Sequence, residues 1–164
     1  MRIRPVEPAD AAPISAIAAH REIRKSMLIS HIDFSEAAKI IAGLTMLDHM
    51  FVLETETPPL EICAVLLLRV DRQIYLRSLA RVEIMVASKW QGQGVGKALL
   101  QSALELADKE LVIERVEAEI TTDNLGALKL FKSYGFKVEG TAKDWASAED
   151  GSFTDAYLLA RCRH

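Results

Sequence analysis

The run Gln91-Gly92-Gln93-Gly94-Val95-Gly96-Lys97-Ala98 constrains this chain of 164 residues more than any other stretch, because it joins a strand-like segment to a helix-like one. Its three glycines let the backbone turn sharply and come close to a ligand, while the first turn of the helix that follows leaves N–H groups without intrahelical acceptors. A strand, a glycine turn and a helix in that order can hold phosphate without a cationic cluster. Spacing narrows the choice. A P-loop needs Gly where Gln91 stands and Ser or Thr where Ala98 stands. A dinucleotide fingerprint needs its third Gly at Lys97. Neither pattern is met, and what is left is Gln-x-x-Gly-x-Gly on Gln91, Gly94 and Gly96.

Composition excludes several classes. Twenty Lys plus Arg against 23 Asp plus Glu leave a formal charge of -3, which provides no long-range attraction for nucleic acid. The apolar run around Cys63 to Leu68 is far too short to cross a bilayer, and the opening Met1-Arg2-Ile3-Arg4-Pro5 does not read as a signal peptide, so the expected location is the cytoplasm. Cys63 and Cys162 both lie in strand-like apolar segments and are expected to be reduced, buried thiols. His20, His31, His49 and His164 are scattered, with no metal-ligand spacing, so no metal is expected.

Periodicity orders the remainder. Arg2 to Val6 reads as a strand, followed by one helix that starts at the acidic Glu7-Pro8-Ala9-Asp10 and runs to about Arg24. Ser35 is expected to cap a second helix to Leu44, with Ala38, Ile41 and Ala42 facing inward. Met50 to Glu54, Ile62 to Val70 and Leu79 to Ala87 read as an antiparallel meander. A helix from Val95 to about Lys109 then leads to a parallel strand, Arg115 to Thr121. A last helix spans about Asn124 to Tyr134 and stops at Gly135, and strands Phe136 to Gly140 and Phe153 to Arg161 close the sheet. No linker or repeat divides the chain, so residues 1–164 are expected to form a single domain.

Two motifs and a tail together resemble one family. The glycine loop resembles the coenzyme A loop of the GNAT superfamily of N-acetyltransferases. Asn124-Leu125-Gly126-Ala127-Leu128-Lys129-Leu130-Phe131-Lys132-Ser133-Tyr134-Gly135-Phe136, about 30 residues on, is similar to its second signature. Glu139-Gly140-Thr141, Asp150-Gly151 and Asp155-Ala156-Tyr157 resemble the tails of the bacterial L-amino-acid N-acetyltransferase subgroup. The resemblance runs from about Val82 to Arg161. It implies an α/β (α+β) fold, with a mixed, mostly antiparallel sheet of six to seven strands, about four flanking helices and splayed central parallel strands.

The same resemblance implies direct transfer of acetyl from acetyl-CoA to an amine. A backbone N–H near Met85 or Val86 would polarise the thioester carbonyl. The N–H groups of Gln91, Gly92, Gln93, Gly94, Val95 and Gly96, with Lys97 beside them, would take the pyrophosphate, and Asn124 would contact the pantetheine arm between the splayed strands. Phe131 stands in the coenzyme A site where the family often carries a proton-donating tyrosine. Tyr134, one turn on, is then the candidate acid, with Tyr157, Tyr75 or water as substitutes. Glu83 is the candidate general base, as the one carboxylate on the strand leading to the acetyl group. The acceptor is expected to be a small amine, foremost an amino acid, with Arg21, Arg24, Lys25, His31 and Trp145 flanking its pocket. Acetylation of a protein N-terminus or lysine is the rival within the enzyme class. A coenzyme A sensing module without turnover is the rival outside it, and Phe131 is its main support. A homodimer is the candidate assembly.

Overall fold

The computed structural model describes residues 1–27, 32–71, 78–147 and 151–163. Seven strands form one sheet: β1 Arg2–Pro5, β2 Asp48–Glu54, β3 Ile62–Val70, β4 Leu79–Val86, β5 Arg115–Thr121, β6 Lys137–Ser147 and β7 Phe153–Cys162. Their spatial order is β1-β2-β3-β4-β5-β7-β6. Every neighbouring pair is antiparallel except β4 and β5, which are parallel and are joined by the crossover helix α4 (Val95–Lys109). The expected fold class is therefore present, with the meander β2 to β4 in place.

Five helices rather than about four occur among the described residues: α1 Ala11–Ala18, α2 Arg21–Met27, α3 Phe34–Ala42, α4 and α5 Leu125–Ser133. The extra one comes from the single helix expected up to Arg24, which breaks at Ala19 and His20 with neither glycine nor proline to announce it. The break redirects α2 over β4 and β5 and buries Ile23, a tertiary gain that local propensity does not report. α3 also begins earlier than expected. Asp33, not Ser35, is its cap, accepting the Glu36 N–H at 2.8 Å. The inward stripe is accordingly Ala37, Ala38 and Ile41, and Ala42 is exposed.

The sheet separates two cores. Leu99, Leu100, Ala103, Leu104 and Ala107 of α4 pack with Ala80 and Val82 of β4 and Val116, Ala118 and Ile120 of β5 on one face. α1, α2 and α3 cover the other face, over Val52, Val65 and Met85. Alternation along β4 and β5 thus assigns even-numbered residues to the α4 side and odd-numbered ones to the α2 side. β6 runs well past the expected end at Gly140, reaching Ser147 by absorbing irregularities at Val138/Gly140 and Ala142/Ala146 in its pairing with β7. Cys63 is buried as expected. Cys162 is exposed, because β7 is buried only at Ala156, Leu159 and Ala160 and its terminal residue lies beyond that covered stretch.

Candidate functional site

The site originates in a local failure of sheet pairing. β4 and β5 pair only over Leu79 to Arg81 and Arg115 to Glu117. Beyond that, β4 stays with β3 as far as Val86 opposite Ala64, and β5 stays with β7 as far as Thr121 opposite Ala156. The two strands therefore diverge, and a cleft of about 950 Å³ passes between them from one face of the sheet to the other.

Register tells which backbone groups of β4 look into this gap. Asp71 N–H donates to the Leu79 carbonyl and Ala87 N–H to the Cys63 carbonyl, both at 2.9 Å. In an antiparallel ladder the bonded positions alternate, so Arg81, Glu83 and Met85 direct their N–H and C=O groups to β3, while Val82, Ile84 and Val86 direct theirs to the gap. Of the two candidates for the carbonyl-polarising N–H, Met85 lines the cleft but aims its N–H at β3. Val86 aims into the gap, and its own carbonyl accepts the Gln91 side-chain amide at 3.2 Å.

The glycine loop follows directly. Ser88–Trp90 forms a single tight turn, Gly92 and Gly94 take φ of +74° and +81°, and Gly94 caps α4. Gln93 holds the loop to its own base, its side-chain amide donating to the Lys89 carbonyl at 2.7 Å. Gln91 N–H is engaged with the Ser88 carbonyl at 3.3 Å. Among the described residues, the N–H groups of Gly92, Gln93, Gly94 and Val95 donate to no backbone carbonyl, and those of Gly96 and Lys97 belong to the first, unpaired turn of α4. A Cβ on Gly92 or Gly94 would meet nothing within 4 Å, so the loop faces open space. Gly96 is different: a Cβ there would lie 3.3 Å from Val86 Cγ2 and 3.4 Å from Leu130 Cδ2, and its absence lets α4 close on β4 and α5.

α5 forms the opposite lip. Asn124 lines the cleft and caps the helix, its Oδ1 accepting the Ala127 N–H at 3.1 Å. Phe131 is buried at the cleft wall, edge-on to Phe136 with ring centroids 4.9 Å apart. Tyr134, the expected acid, is not among the lining residues. Its hydroxyl donates to the Lys97 carbonyl at 3.2 Å, tying α5 to α4, and burial, assisted by Glu105, pushes its pKa up.

On the α2 side the wall is acidic. Glu83 is exposed in the cleft on β4, Glu117 and Glu119 come from β5, and Glu22 comes from α2. Arg81 is the cation of this side among the described lining residues, and it is engaged by Asp71 at 3.3 Å and Glu117 at 3.6 Å. Glu117 is also bound by Arg115 at 2.8 Å. Burial pushes the Glu119 carboxyl upward; Arg81 opposes this, and Glu83 and Glu117 add to it. Thr121, 2 % exposed, ends the same row, and its Oγ1 has no hydrogen-bond partner. Of the residues expected to flank an acceptor, Trp145 lines the cleft from β6, whereas Arg21 and Arg24 are not among its lining. The Lys25 side chain, His31 and Tyr75 lie outside what is described. Glu22, Glu117, Glu119 and Thr121 were missed by motif reading, although the alternation of Arg115-Val116-Glu117-Ala118-Glu119-Ile120-Thr121 already sets three of them on one face.

Among the described residues no helix is long and apolar enough to cross a membrane, and no three His, Cys, Asp or Glu side chains are grouped as a metal ion would require.

Known proteins agree with this architecture. Residues 1–137 match the family model of the acetyltransferase (GNAT) domain, so the likeness extends well before Val82. The chain is 40 % identical over 80 residues to the L-amino acid N-acetyltransferase AaaT of Escherichia coli K12, covering 49 % of each protein. It spans about half the length of the curated relatives it matches. A provisionally assigned phosphinothricin N-acetyltransferase superposes with a TM-score of 0.87 at 25 % identity, over 98 % of this chain and 97 % of the other. The Salmonella typhimurium protein yncA, solved with acetyl-CoA, gives 0.85 at 19 %, over 100 % and 95 %, a likeness of fold alone. With the diverging strands and the glycine loop in place, the chain belongs to the GNAT acetyltransferase family.

Proposed function

We propose that residues 1–164 work as one acetyl-CoA-dependent N-acetyltransferase unit that acts on the primary amine of a small molecule. The observation that carries this reading is the juxtaposition of the β4/β5 divergence with the unpaired N–H groups of Gly92 to Lys97 at its mouth. The loop suits a pyrophosphate because its donors are free and the space before Gly92 and Gly94 is open.

When bound, acetyl-CoA supplies an activated acyl carbon. Val86 N–H, directed into the gap, is placed to hydrogen-bond the acyl oxygen as negative charge develops on it. Glu83, on the other face of the same strand, takes the proton of the attacking amine directly or through a water. The nitrogen–carbon bond forms, the carbon–sulfur bond breaks, and the sulfur leaves with the electron pair. Asn124 borders the arm, and Phe131 closes the wall without offering a proton. With the Tyr134 hydroxyl turned to Lys97, the departing sulfur takes its proton from solvent.

That no tyrosine lines the cleft among the described residues favours the second reading, a coenzyme A sensor without turnover. Calorimetry with acetyl-CoA and free-thiol release over a panel of amines decide between them. The expected result is binding with thiol release that depends on the acceptor; binding with no amine-dependent release would establish the sensor. The amino-acid acceptor is supported by the name of the Escherichia coli relative.

A further inference from the structure

Resting on that acetyltransferase reading, we propose that the acceptor is an aliphatic amine with a second cationic nitrogen and no carboxylate, a di- or polyamine rather than an α-amino acid. Glu83 and Glu119 project from neighbouring strands onto the α2 side of the cleft, Glu22 projects from the helix above, and among the described residues none of the three has an ion-pair partner. Arg81, the cation on that side, is already held by Asp71 and Glu117. Lys97 and Lys129 also line the cleft, but they come from α4 and α5 on the other face, beside the glycine loop.

Thr121 supplies an independent indication. Its side chain lies on the same face as Glu117 and Glu119, next in their row, and lines the cleft at 2 % exposure with an Oγ1 that nothing in the protein satisfies. A buried hydroxyl without a partner is costly; it both donates and accepts, so it marks a place for a polar ligand atom, and the unpaired carboxylates beside it select an ammonium for that place. A substrate carboxylate on this wall would face three unpaired carboxylates. An ammonium would face their complement. The reacting nitrogen then sits at the divergence near Glu83, and the second nitrogen lies along the Glu119 and Thr121 row.

Four acceptors on one five-carbon skeleton separate the two charges: pentylamine, 1,5-diaminopentane, L-norleucine and L-lysine. The second ammonium is expected to raise kcat/KM about tenfold from pentylamine to diaminopentane, and the carboxylate to lower it about tenfold from diaminopentane to lysine. Glu119→Gln should erase most of the diamine advantage over pentylamine by raising KM, with kcat little altered. The exposed Glu22→Gln should do so in part and guards against misfolding of the first variant. Norleucine or lysine used as well as diaminopentane, or an unchanged diamine advantage in both variants, would overturn the proposal while leaving the acetyltransferase intact. No thiol release with any acceptor would fell both.

Discussion

Gly94 and Gly96 sit two residues apart in one motif and are glycines for unrelated reasons. Gly94 occupies the left-handed region at φ +81° with open space beyond it. Gly96 has no positive φ and is held instead by Val86 and Leu130. Gly94→Ala is expected to cost about 1 kcal/mol of strain and to weaken acetyl-CoA binding. Gly96→Ala is expected to push the Val86 and Leu130 side chains back by a few tenths of an ångström, a cost of at most about 1 kcal/mol that the better helix propensity of alanine offsets. Urea unfolding with calorimetry on each variant checks this; a larger loss of stability in Gly96→Ala than in Gly94→Ala would disprove it. Spacing alone finds both glycines and cannot separate them, since a contact with Val86 or Leu130 is a property of packing. Tyr134 shows the same limit: its place one turn past Phe131 is legible, and the direction of its hydroxyl is not.

Among the elements, α5 joins capping to the site. Asn124 starts the helix through Oδ1 and also lines the cleft. Asn124→Ala should lose about 1 kcal/mol of stability. Asn124→Asp keeps an acceptor for the Ala127 N–H and should hold that stability while raising the KM for acetyl-CoA. A normal KM in Asn124→Asp would leave Asn124 as a cap only. Element bounds are legible where one pattern runs without interruption: the amphipathic periods of α4 and β5 and the continuous apolar run of β3. They are not legible where a side chain two residues away competes for a cap, as Asp33 does with Ser35, or where burial of Ile23 bends a helix that the local sequence would continue. The acidic wall was legible in β5, but only once a neighbour was known to have parted from it.

Across the molecule, acid stability depends on carboxylates that the fold keeps ionised. Asp48 opens β2 with its side chain 1 % exposed, accepting from Arg69 Nε at 2.7 Å and from Thr45 N–H and Oγ1 at 2.9 and 2.8 Å. Burial pushes its carboxyl up, and the bonds from Arg69 and Thr45 outweigh it, bringing the pKa from 3.8 down to about 2. A pKa lower in the folded than in the unfolded state stabilises the fold above about pH 4, and this contribution disappears as pH falls through about 2. Asp48 thus accounts for about 2 kcal/mol at neutral pH, and Asp10 and Asp108, lowered by their arginine partners against the opposing pull of burial, act in the same sense. In urea titrations the gap between wild type and Asp48→Asn should narrow from pH 5 to pH 2; a constant gap would mean that Asp48 does not titrate there. The seam between β4 and β5 has a mechanical consequence at this scale. Four strands on one side and three on the other share only three residue pairs, so the sheet is two plates hinged at one end. Each further pair would stiffen the hinge and shut the slot, and the Val86 N–H would then be spent on β5 instead of on a ligand.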